Sequence, residues 1–299
     1  MIDQSWARLP DGRALCYAEY GDPRGTPAFF FHGWPGSRLL GRLGHRAARS
    51  RGVRIIAPDR PGIGRSDPHP GRRLLDWPAD VLAMADGLGL DRFDVVGYSN
   101  GGPYALACAA RPAARLAGVA VVSGMGPTDS AGAKLSLPRE VRAFFAVNRR
   151  APFLSRLGVR VMSIGARQLQ TFMATQMWAV APPPDREVLR RKDVFKALKA
   201  EYAESFWPGP VGLDHEISLI RRPWGFDLSE VSRRILLYHG EADANVPVAL
   251  ARRVAAELPD CRARFLPGKA HLWFVDSFGE VLDDLADQRS ETENRGNKK

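Results

Sequence analysis

The most constraining feature of the sequence is a serine set between two glycines, where a strand-like run gives way to a helix-like run. Residues 93–102 read FDVVGYSNGG, and an alanine-rich helical pattern continues to residue 110. Glycines two positions before and after Ser99 suit a sharp turn in which side chains would collide as strand and helix approach each other. The pattern predicts a strained, exposed Ser99 at the carboxyl edge of a sheet, beside a helix N-terminus that favours negative charge. The alternative is an ordinary turn with a solvated serine.

The composition limits the class of protein. The chain has 299 residues, of which 45% are apolar and 25% charged, enough for one large core or for one core with an insertion. No apolar stretch approaches the ~18 residues of a membrane span, and the first residues lack the apolar segment of a signal peptide. We therefore expect a cytoplasmic protein without a membrane partner.

The cysteines and the charge exclude further classes. Cys16, Cys108 and Cys261 are too few and too scattered for a disulfide framework or a metal site, so we predict buried thiols, no metal and no cofactor. The net charge is +10, but the arginines are spread along the whole chain, so no nucleic-acid partner is expected. The charge leaves an attraction for anionic substrates open.

Strand patterns alternate with helix patterns on both sides of the serine. Strands are predicted at 11–20, 27–31, 53–58, 93–96, 116–123, 234–239 and 261–266. Helices are predicted at 77–88, 102–110, 249–258 and 275–287. This spacing predicts the α/β class, with a mainly parallel sheet and helices on both faces. The continuous apolar run at 27–31 is typical of a strand that is buried on both faces.

The alternation stops between about residues 128 and 228, where the pattern predicts only helices, at 141–148, 157–177 and 186–206. The segment is rich in large apolar residues, which predicts a small helical core that also covers the serine as a lid. We therefore divide the chain into an α/β core at 1–126 and 229–287, a helical cap at 127–228, and a polar, disordered tail at 288–299.

A serine hydroxyl is a poor nucleophile near neutral pH, so it needs a general base and an acceptor that fixes the base. His271 follows the last predicted strand and Asp243 follows the strand before it, which puts both at the edge that carries Ser99. Their chain order of Ser, Asp and His is that of the nucleophile elbow. Glu241 and Asp129 are alternative acids, and Asp243 is preferred because Glu241 directly follows the turn glycine. Because His271 must be neutral to act as base, activity should fall as pH drops through roughly 6 to 7.

A glycine-rich loop, residues 32–38, follows the apolar run at 27–31. Backbone N–H groups of such a loop can point at developing negative charge, as an oxyanion hole requires. His32 itself is predicted to be structural. In the next loop, Asp59 and Arg60 are predicted to brace neighbouring loops through local hydrogen bonds.

Five segments together resemble the α/β-hydrolase-fold family: HGWP at 32–35, DRPGIGRS at 59–66, GYSNGG at 97–102, HGEADANVP at 239–247 and GKAH at 268–271. The resemblance implies a serine hydrolase with a helical cap, whose oxyanion hole consists of the backbone N–H groups of Trp34 and Asn100. Epoxide hydrolases and haloalkane dehalogenases share the HGxP loop but have an aspartate where this chain has Ser99, which disfavours both activities.

The chemistry that the resemblance implies is acyl transfer through Ser99. We expect hydrolysis of a carboxylic ester or lactone of a small, largely apolar molecule, an EC 3.1 activity. Hydrolysis of C–C bonds, aminopeptidase-type amide hydrolysis and cofactor-free perhydrolysis stay open, and a ligand-binding protein that retains the fold is the rival from another class. The predicted pocket residues are Trp34, Phe144, Phe145, Met177, Trp178 and Trp273.

Overall fold

A computed structural model of the chain describes residues 1–111, 114–128, 137–168 and 179–296, and only the backbone of residues 167, 168 and 292–296. Its centre is an eight-stranded sheet. The strands are β1 (Ile2–Arg8), β2 (Ala14–Gly21), β3 (Thr26–Phe31), β4 (Val53–Pro58), β5 (Phe93–Tyr98), β6 (Leu116–Val122), β7 (Ile235–Gly240) and β8 (Cys261–Leu266).

The strands lie in the order β1-β2-β4-β3-β5-β6-β7-β8. β2 runs antiparallel to both of its neighbours, β1 and β4. The six strands from β3 to β8 run parallel to one another, so their carboxyl ends meet at one edge of the sheet. This arrangement confirms the predicted α/β class with a mainly parallel sheet.

Helices connect the strands. In the described parts of the chain they are α1 (His45–Arg49), α2 (Trp77–Gly87), α3 (Gly101–Ala110), α4 (Arg139–Arg150), α5 (Pro152–Gln168), α6 (Pro183–Leu189), α7 (Lys192–Ser205), α8 (Pro210–Arg221), α9 (Val248–Glu257) and α10 (Phe274–Gly296). Three short 3-10 turns add Arg38–Gly44, Leu74–Asp76 and Leu228–Glu230. No described helix combines the length and the apolarity that crossing a membrane requires.

The sheet separates two apolar clusters. Phe29 and Phe31 belong to the cluster that contains Trp77 of α2. Phe30 belongs to the opposite cluster, which contains Phe274 of α10. Because side chains alternate across a strand, the continuous apolar run of β3 fills both faces at once, as predicted.

The helices α4 to α8 all lie between β6 and β7, in the segment that the sequence assigns to a cap. Two of them, α5 and α8, contribute Val159 and Ile217 to a third apolar cluster. The same cluster includes Phe206, which directly follows α7, and Ile63 from the loop after β4. The described residues of this segment hold no strand. The domain boundaries at 126/127 and 228/229 stay predictions.

The structure differs from the sequence prediction in several elements, and α1 is one helix that was not predicted. β1 was not predicted, because this edge strand leaves Ile2 and Trp6 about half exposed and lacks a buried apolar face. The helix predicted at 186–206 is divided into α6 and α7, and α8 follows as an additional helix. The helix predicted at 157–177 begins earlier, at Pro152, because proline suits a first helical turn. Its end beyond residue 168 lies outside the described residues.

The prediction of a disordered tail from residue 288 is wrong for residues 288–296, which continue α10. Polar contacts hold the start of this extension on the core. The side-chain amide of Gln288 donates to the carbonyl of Arg234 at 2.9 Å, and Arg234 forms an ion pair with Glu291 at 2.7 Å. Arg289 forms an ion pair with Asp94 of β5. Residues 297–299 lie outside the described residues.

Candidate active site

The turn between β5 and α3 brings backbone into close contact with backbone. A Cβ atom on Gly97 would lie 2.4 Å from the carbonyl oxygen of Gly101, and one on Gly101 would lie 2.1 Å from the carbonyl oxygen of Phe31. Only glycine fits at these two positions. Ser99 between them has a φ of 52°, in the left-handed region that non-glycine residues rarely adopt. Such strain is not that of an ordinary turn, and it is typical of functional sites.

Ser99 is less exposed than the sequence suggests, because only 8% of its surface is accessible. Its N–H donates to the carbonyl of Val122 at 2.9 Å, and its own carbonyl accepts from the N–H groups of Gly102 and Met125. The turn is therefore fixed on both sides of the serine.

His271 and Asp243 lie against each other at the carboxyl edge of the sheet. The distance between His271 Nδ1 and Asp243 Oδ2 is 2.7 Å. The other carboxylate oxygen of Asp243 accepts from the N–H groups of Asn245 and Val246, both at 2.9 Å. Both oxygens are thus engaged, so Nδ1 of His271 carries the shared hydrogen and Nε2 is left as an acceptor.

The pair shifts both pKa values. Burial acts to raise the pKa of Asp243, but the charge and hydrogen bond of His271 outweigh burial and lower it. Burial acts to lower the pKa of His271, but the Asp243 carboxylate raises it above its ordinary value. Nearby, burial lowers the pKa of His239, whose Nε2 bonds the carbonyl of Val246 at 2.7 Å.

Of the two alternative acids, Glu241 does not make this contact. Glu241 is exposed, and its Oε1 accepts from Arg252 at 2.6 Å. Asp129 lies outside the described residues. Asp243 is therefore the carboxylate that the structure brings to His271.

His271 lies next to the strand that ends at the serine. Its carbonyl accepts from the hydroxyls of Tyr98 and Ser123, at 3.4 and 3.3 Å. The rings of Tyr98 and His271 are 5.0 Å apart between centroids. Since Tyr98 directly precedes Ser99, the loops that carry serine and histidine pack side by side.

The loop after β3 places the peptide group between Gly33 and Trp34 next to Ser99. A Cβ atom on Gly33 would lie 3.2 Å from the Cβ of Ser99. The carbonyl of Gly33 accepts from Arg60 Nη2 at 3.0 Å and from His32 Nδ1 at 2.9 Å. In a trans peptide the C=O and N–H point in opposite directions, so the N–H of Trp34 points away from these donors. Among the described residues, neither this N–H nor that of Asn100 has a hydrogen-bond acceptor.

His32 is structural, as the sequence predicts. It is 1% exposed, and burial followed by the charge of Arg60 lowers its pKa to about 3. Its Nε2 accepts from the N–H of Arg60 at 3.4 Å, so Nδ1 carries the hydrogen that reaches Gly33. Asp59 also braces its neighbours, because its carboxylate accepts from the N–H groups of Arg38 and Arg65.

Arg60 reaches further than the sequence suggests, because it binds the cap segment. Glu216 of α8 accepts from Arg60 Nε at 2.5 Å and from Nη2 at 2.8 Å. Arg72 and Tyr104 also donate to Glu216, at 3.0 and 3.2 Å. All four side chains are buried; burial acts to raise the pKa of Glu216, but the arginines outweigh burial and lower it to about 2.

A second carboxylate from the cap segment touches the histidine loop. Asp185 of α6 accepts from the backbone N–H groups of His271 and Leu272, at 3.2 and 2.8 Å. Sequence reasoning missed this residue. An acidic residue in a first helical turn is a common local pattern, and nothing in it indicates a contact with a loop 86 residues away.

The predicted pocket residues are only partly brought together. Trp34 packs on Phe144, with ring centroids 5.7 Å apart, and Phe145 packs against the same apolar cluster. Trp273 lies elsewhere: it is 4% exposed in the core cluster under α10, and its indole donates to Ser123 at 3.0 Å. The structure thus gives Trp273 a packing role. Met177 and Trp178 lie outside the described residues.

No group of three or more histidine, cysteine or acidic residues in the described chain has the arrangement of a metal site. Cys16 and Cys108 are buried and Cys261 is partly buried, and burial raises the pKa of each thiol. In the part of the chain that the structure describes, the site therefore contains the Asp243–His271 pair, the strained Ser99 and the N–H groups of Trp34 and Asn100 without an acceptor.

Comparison with known proteins identifies the family. Residues 27–278 match the model of the family described as alpha/beta hydrolase fold. The match covers most of the chain, including β3 to β8. The chain therefore belongs to the α/β-hydrolase fold family.

Individual relatives carry several activities. The chain is 35% identical over 153 residues to a non-heme chloroperoxidase of Streptomyces lividans, covering 46% of this chain and 53% of that protein. It is 34% identical over 114 residues to a proline iminopeptidase of Xanthomonas citri, covering 37% of this chain and 36% of that protein. A crystal structure of an esterase from a Rhodococcus species is similar in fold, with a TM-score of 0.65, 22% identity and coverage of 97% and 99%. The chain thus spans about half or less of the length of these two sequence relatives.

The close approach at the serine turn predicts a strong effect of one methyl group. We expect Gly101→Ala to lower the free energy of unfolding by about 3 kcal/mol or more, because backbone atoms of Phe31 and His32 occupy the added volume. Gly87→Ala is the matched control: its Cβ meets no heavy atom within 4 Å, and alanine in α2 should stabilise by about 0.5 to 1 kcal/mol. Urea unfolding of the two variants measures both values. A Gly101→Ala protein as stable as wild type contradicts the turn geometry.

Proposed function

We propose that the protein is a serine hydrolase that cleaves a carboxylic ester or lactone of a small, largely apolar molecule. The 2.7 Å contact between His271 and Asp243, beside the strained turn of Ser99, is the observation that carries the proposal. A base that is oriented by a buried carboxylate is what a serine needs to become a nucleophile.

The proposed mechanism has two acyl-transfer steps. The hydroxyl of Ser99 attacks the substrate carbonyl and its proton passes to Nε2 of His271, which Asp243 stabilises as an imidazolium. The tetrahedral oxyanion accepts from the N–H groups of Trp34 and Asn100, each of which contributes about 3 kcal/mol to transition-state stabilisation. His271 then protonates the leaving alcohol. A water molecule attacks the acyl-enzyme with His271 again as base, and free Ser99 and the carboxylic acid result.

Aromatic contacts support an apolar substrate. Trp34, which carries one proposed oxyanion donor, packs on Phe144 of α4. The indole N–H of Trp34 already donates to the carbonyl of Leu213 at 3.0 Å, so its ring offers mainly apolar surface. We assign Trp34, Phe144 and Phe145 to the acyl or alcohol pocket, and Met177 and Trp178 stay predictions.

Two relatives favour specific second candidates. The match to a proline iminopeptidase favours hydrolysis of an amide at an N-terminal residue by the same three residues. The match to a non-heme chloroperoxidase favours perhydrolysis, in which hydrogen peroxide instead of water attacks the acyl-enzyme. Both candidates use Ser99, so they differ from the main proposal in substrate or acyl acceptor and not in machinery.

Labelling with a fluorophosphonate probe tests the activated serine. We expect covalent labelling of the wild type and none of Ser99→Ala, because only a serine with an oriented base attacks the probe rapidly. The same two proteins are assayed on p-nitrophenyl esters from acetate to decanoate, on several lactones and on proline p-nitroanilide, each with water or hydrogen peroxide as acceptor.

The pattern of results separates the candidates. Labelling and ester or lactone turnover that both depend on Ser99 support the proposal. Hydrolysis of the proline anilide instead favours the aminopeptidase candidate, and turnover that requires hydrogen peroxide favours the perhydrolysis candidate. Labelling without turnover indicates another acyl substrate. No labelling of either protein contradicts the proposal and favours a ligand-binding protein with this fold.

The pH dependence follows from the raised pKa of His271. Only neutral imidazole accepts the serine proton, so kcat/KM should fall as pH drops through the folded pKa of His271. Because Asp243 raises this pKa, we expect the acid limb to lie above about pH 6.5, the ordinary value for histidine. The measurement is kcat/KM between pH 5 and 9 under conditions in which the fold is intact. A profile that stays flat down to pH 5 contradicts the role of His271.

The contact of Asp243 with His271 predicts that Asp243, and not Glu241, orients the catalytic base. We expect Asp243→Asn to fold but to lose about 10⁴-fold in kcat, because the amide favours the wrong histidine tautomer. Glu241→Gln is the matched control, since Glu241 is exposed and pairs with Arg252, and it should retain near wild-type kcat. Steady-state kinetics measure kcat of each variant, and circular dichroism shows whether each variant is folded. The reverse outcome assigns the acid to Glu241.

A further inference from the structure

Asp185 joins the cap segment to the loop of the proposed base. It lies in the first turn of α6, is 2% exposed, and uses both carboxylate oxygens on two successive backbone N–H groups. Oδ2 accepts from His271 at 3.2 Å and Oδ1 accepts from Leu272 at 2.8 Å. A carboxylate that accepts two adjacent N–H groups fixes the direction of that stretch of backbone, since both bonds must bend if the loop rotates.

These bonds complete the support of the His271 backbone. On the carbonyl side, Tyr98 and Ser123 of the core donate to the oxygen of His271 at 3.4 and 3.3 Å. On the amide side, the described residues offer Asp185 as the acceptor. Residues of the core therefore bind the carbonyl of His271, and Asp185 of the cap segment binds its N–H. The ring itself is held by Asp243 at Nδ1.

We propose that Asp185 is a positioning residue for His271, which fixes from the cap segment the backbone that carries the catalytic base. The proposal rests on the proposed function, in which His271 takes the proton of Ser99. It assigns to α6 a role in catalysis, because His271 adopts the geometry for proton transfer when α6 packs against the loop that carries it.

The charge of Asp185 supports the same role. The groups that face His271 are Asp243 from the loop after β7, Asp185 from α6, His239 from β7 and Tyr98 from β5. Burial lowers the pKa of His271, and Asp243 and then Asp185 raise it. Burial raises the pKa of Asp185 itself, while its two N–H donors and the charge of His271 oppose that rise. Loss of the Asp185 charge should therefore lower the pKa of His271.

The test uses Asp185→Asn in the full-length chain. Asparagine keeps the shape but removes the charge, and it offers one acceptor where two are needed. We expect kcat at about pH 8.5 to fall about 10- to 100-fold with KM changed less than about threefold, because a displaced base affects the chemical step and not binding. We also expect the acid limb of kcat/KM to move down by about 0.5 to 1 pH unit.

Two further variants separate positioning from general effects. Glu187→Gln removes a charge from the same helix, but Glu187 is 67% exposed and pairs with Arg190, so kinetics and pH profile should match the wild type. Asp185→Glu keeps the charge and displaces the carboxylate. It should lower kcat but leave the acid limb within about 0.3 pH unit of the wild type, because the local charge is retained. It also provides a folded comparison if Asp185→Asn unfolds.

The proposal is overturned if Asp185→Asn lowers the melting temperature but keeps the kcat and acid limb of the wild type, since the residue then only anchors α6. Titration of the His271 imidazole by NMR in wild type and Asp185→Asn gives a readout that needs no turnover. A lower pKa in the variant supports the contact even if no substrate is hydrolysed. Absence of turnover that depends on Ser99 therefore contradicts the proposed function alone, whereas an unshifted pKa contradicts the inference.

Discussion

The approach of α3 to β5 and β3 is the constraint on which the rest of the structure depends. The backbone of Gly101 lies against the carbonyl of Phe31, and Gly97 lies against Gly101, with no room for a side chain at either place. This contact forces Ser99 into a left-handed conformation and leaves the N–H of Asn100 without an acceptor in the described structure. It also explains why strand and helix must be joined by so short a turn. A chain without these glycines could form the same sheet but not this site.

The sheet could be predicted from the sequence because its signals are local. Short runs rich in apolar, β-branched or aromatic residues, with glycine or proline nearby, indicate each strand from β2 to β8 to within a few residues. β1 carries no such signal, since its neighbours cover little of it and its large side chains remain in solvent. The end of α10 was missed for a related reason: Gln288 and Glu291 look like tail residues until Arg234 is placed beside them.

Only part of the candidate site could be predicted from the sequence. Ser99, Asp243 and His271 follow strands whose carboxyl ends must meet, so topology alone predicts that they are neighbours. Glu216 binds Arg60 across 156 residues, and no periodicity or spacing indicates such a pair before the cap segment is folded onto the core. Trp273 is predicted to line the pocket, whereas in the structure its ring packs in the core cluster that contains Phe274 of α10.

The ion pair between Arg60 and Glu216 ties α8 to the loop after β4 and limits how the predicted cap can move. Lifting α8 away from the core would leave Arg60, Arg72 and Glu216 as buried charges with lost partners, and breaking such a pair costs about 3 to 5 kcal/mol. Since α8 is held in this way, we expect that the predicted cap does not open as a single rigid unit. Under the proposed function, substrate would enter by displacement of other elements while α8 stays in place. Because Arg60 also donates to the carbonyl of Gly33, the same ion pair helps to hold the Gly33–Trp34 peptide.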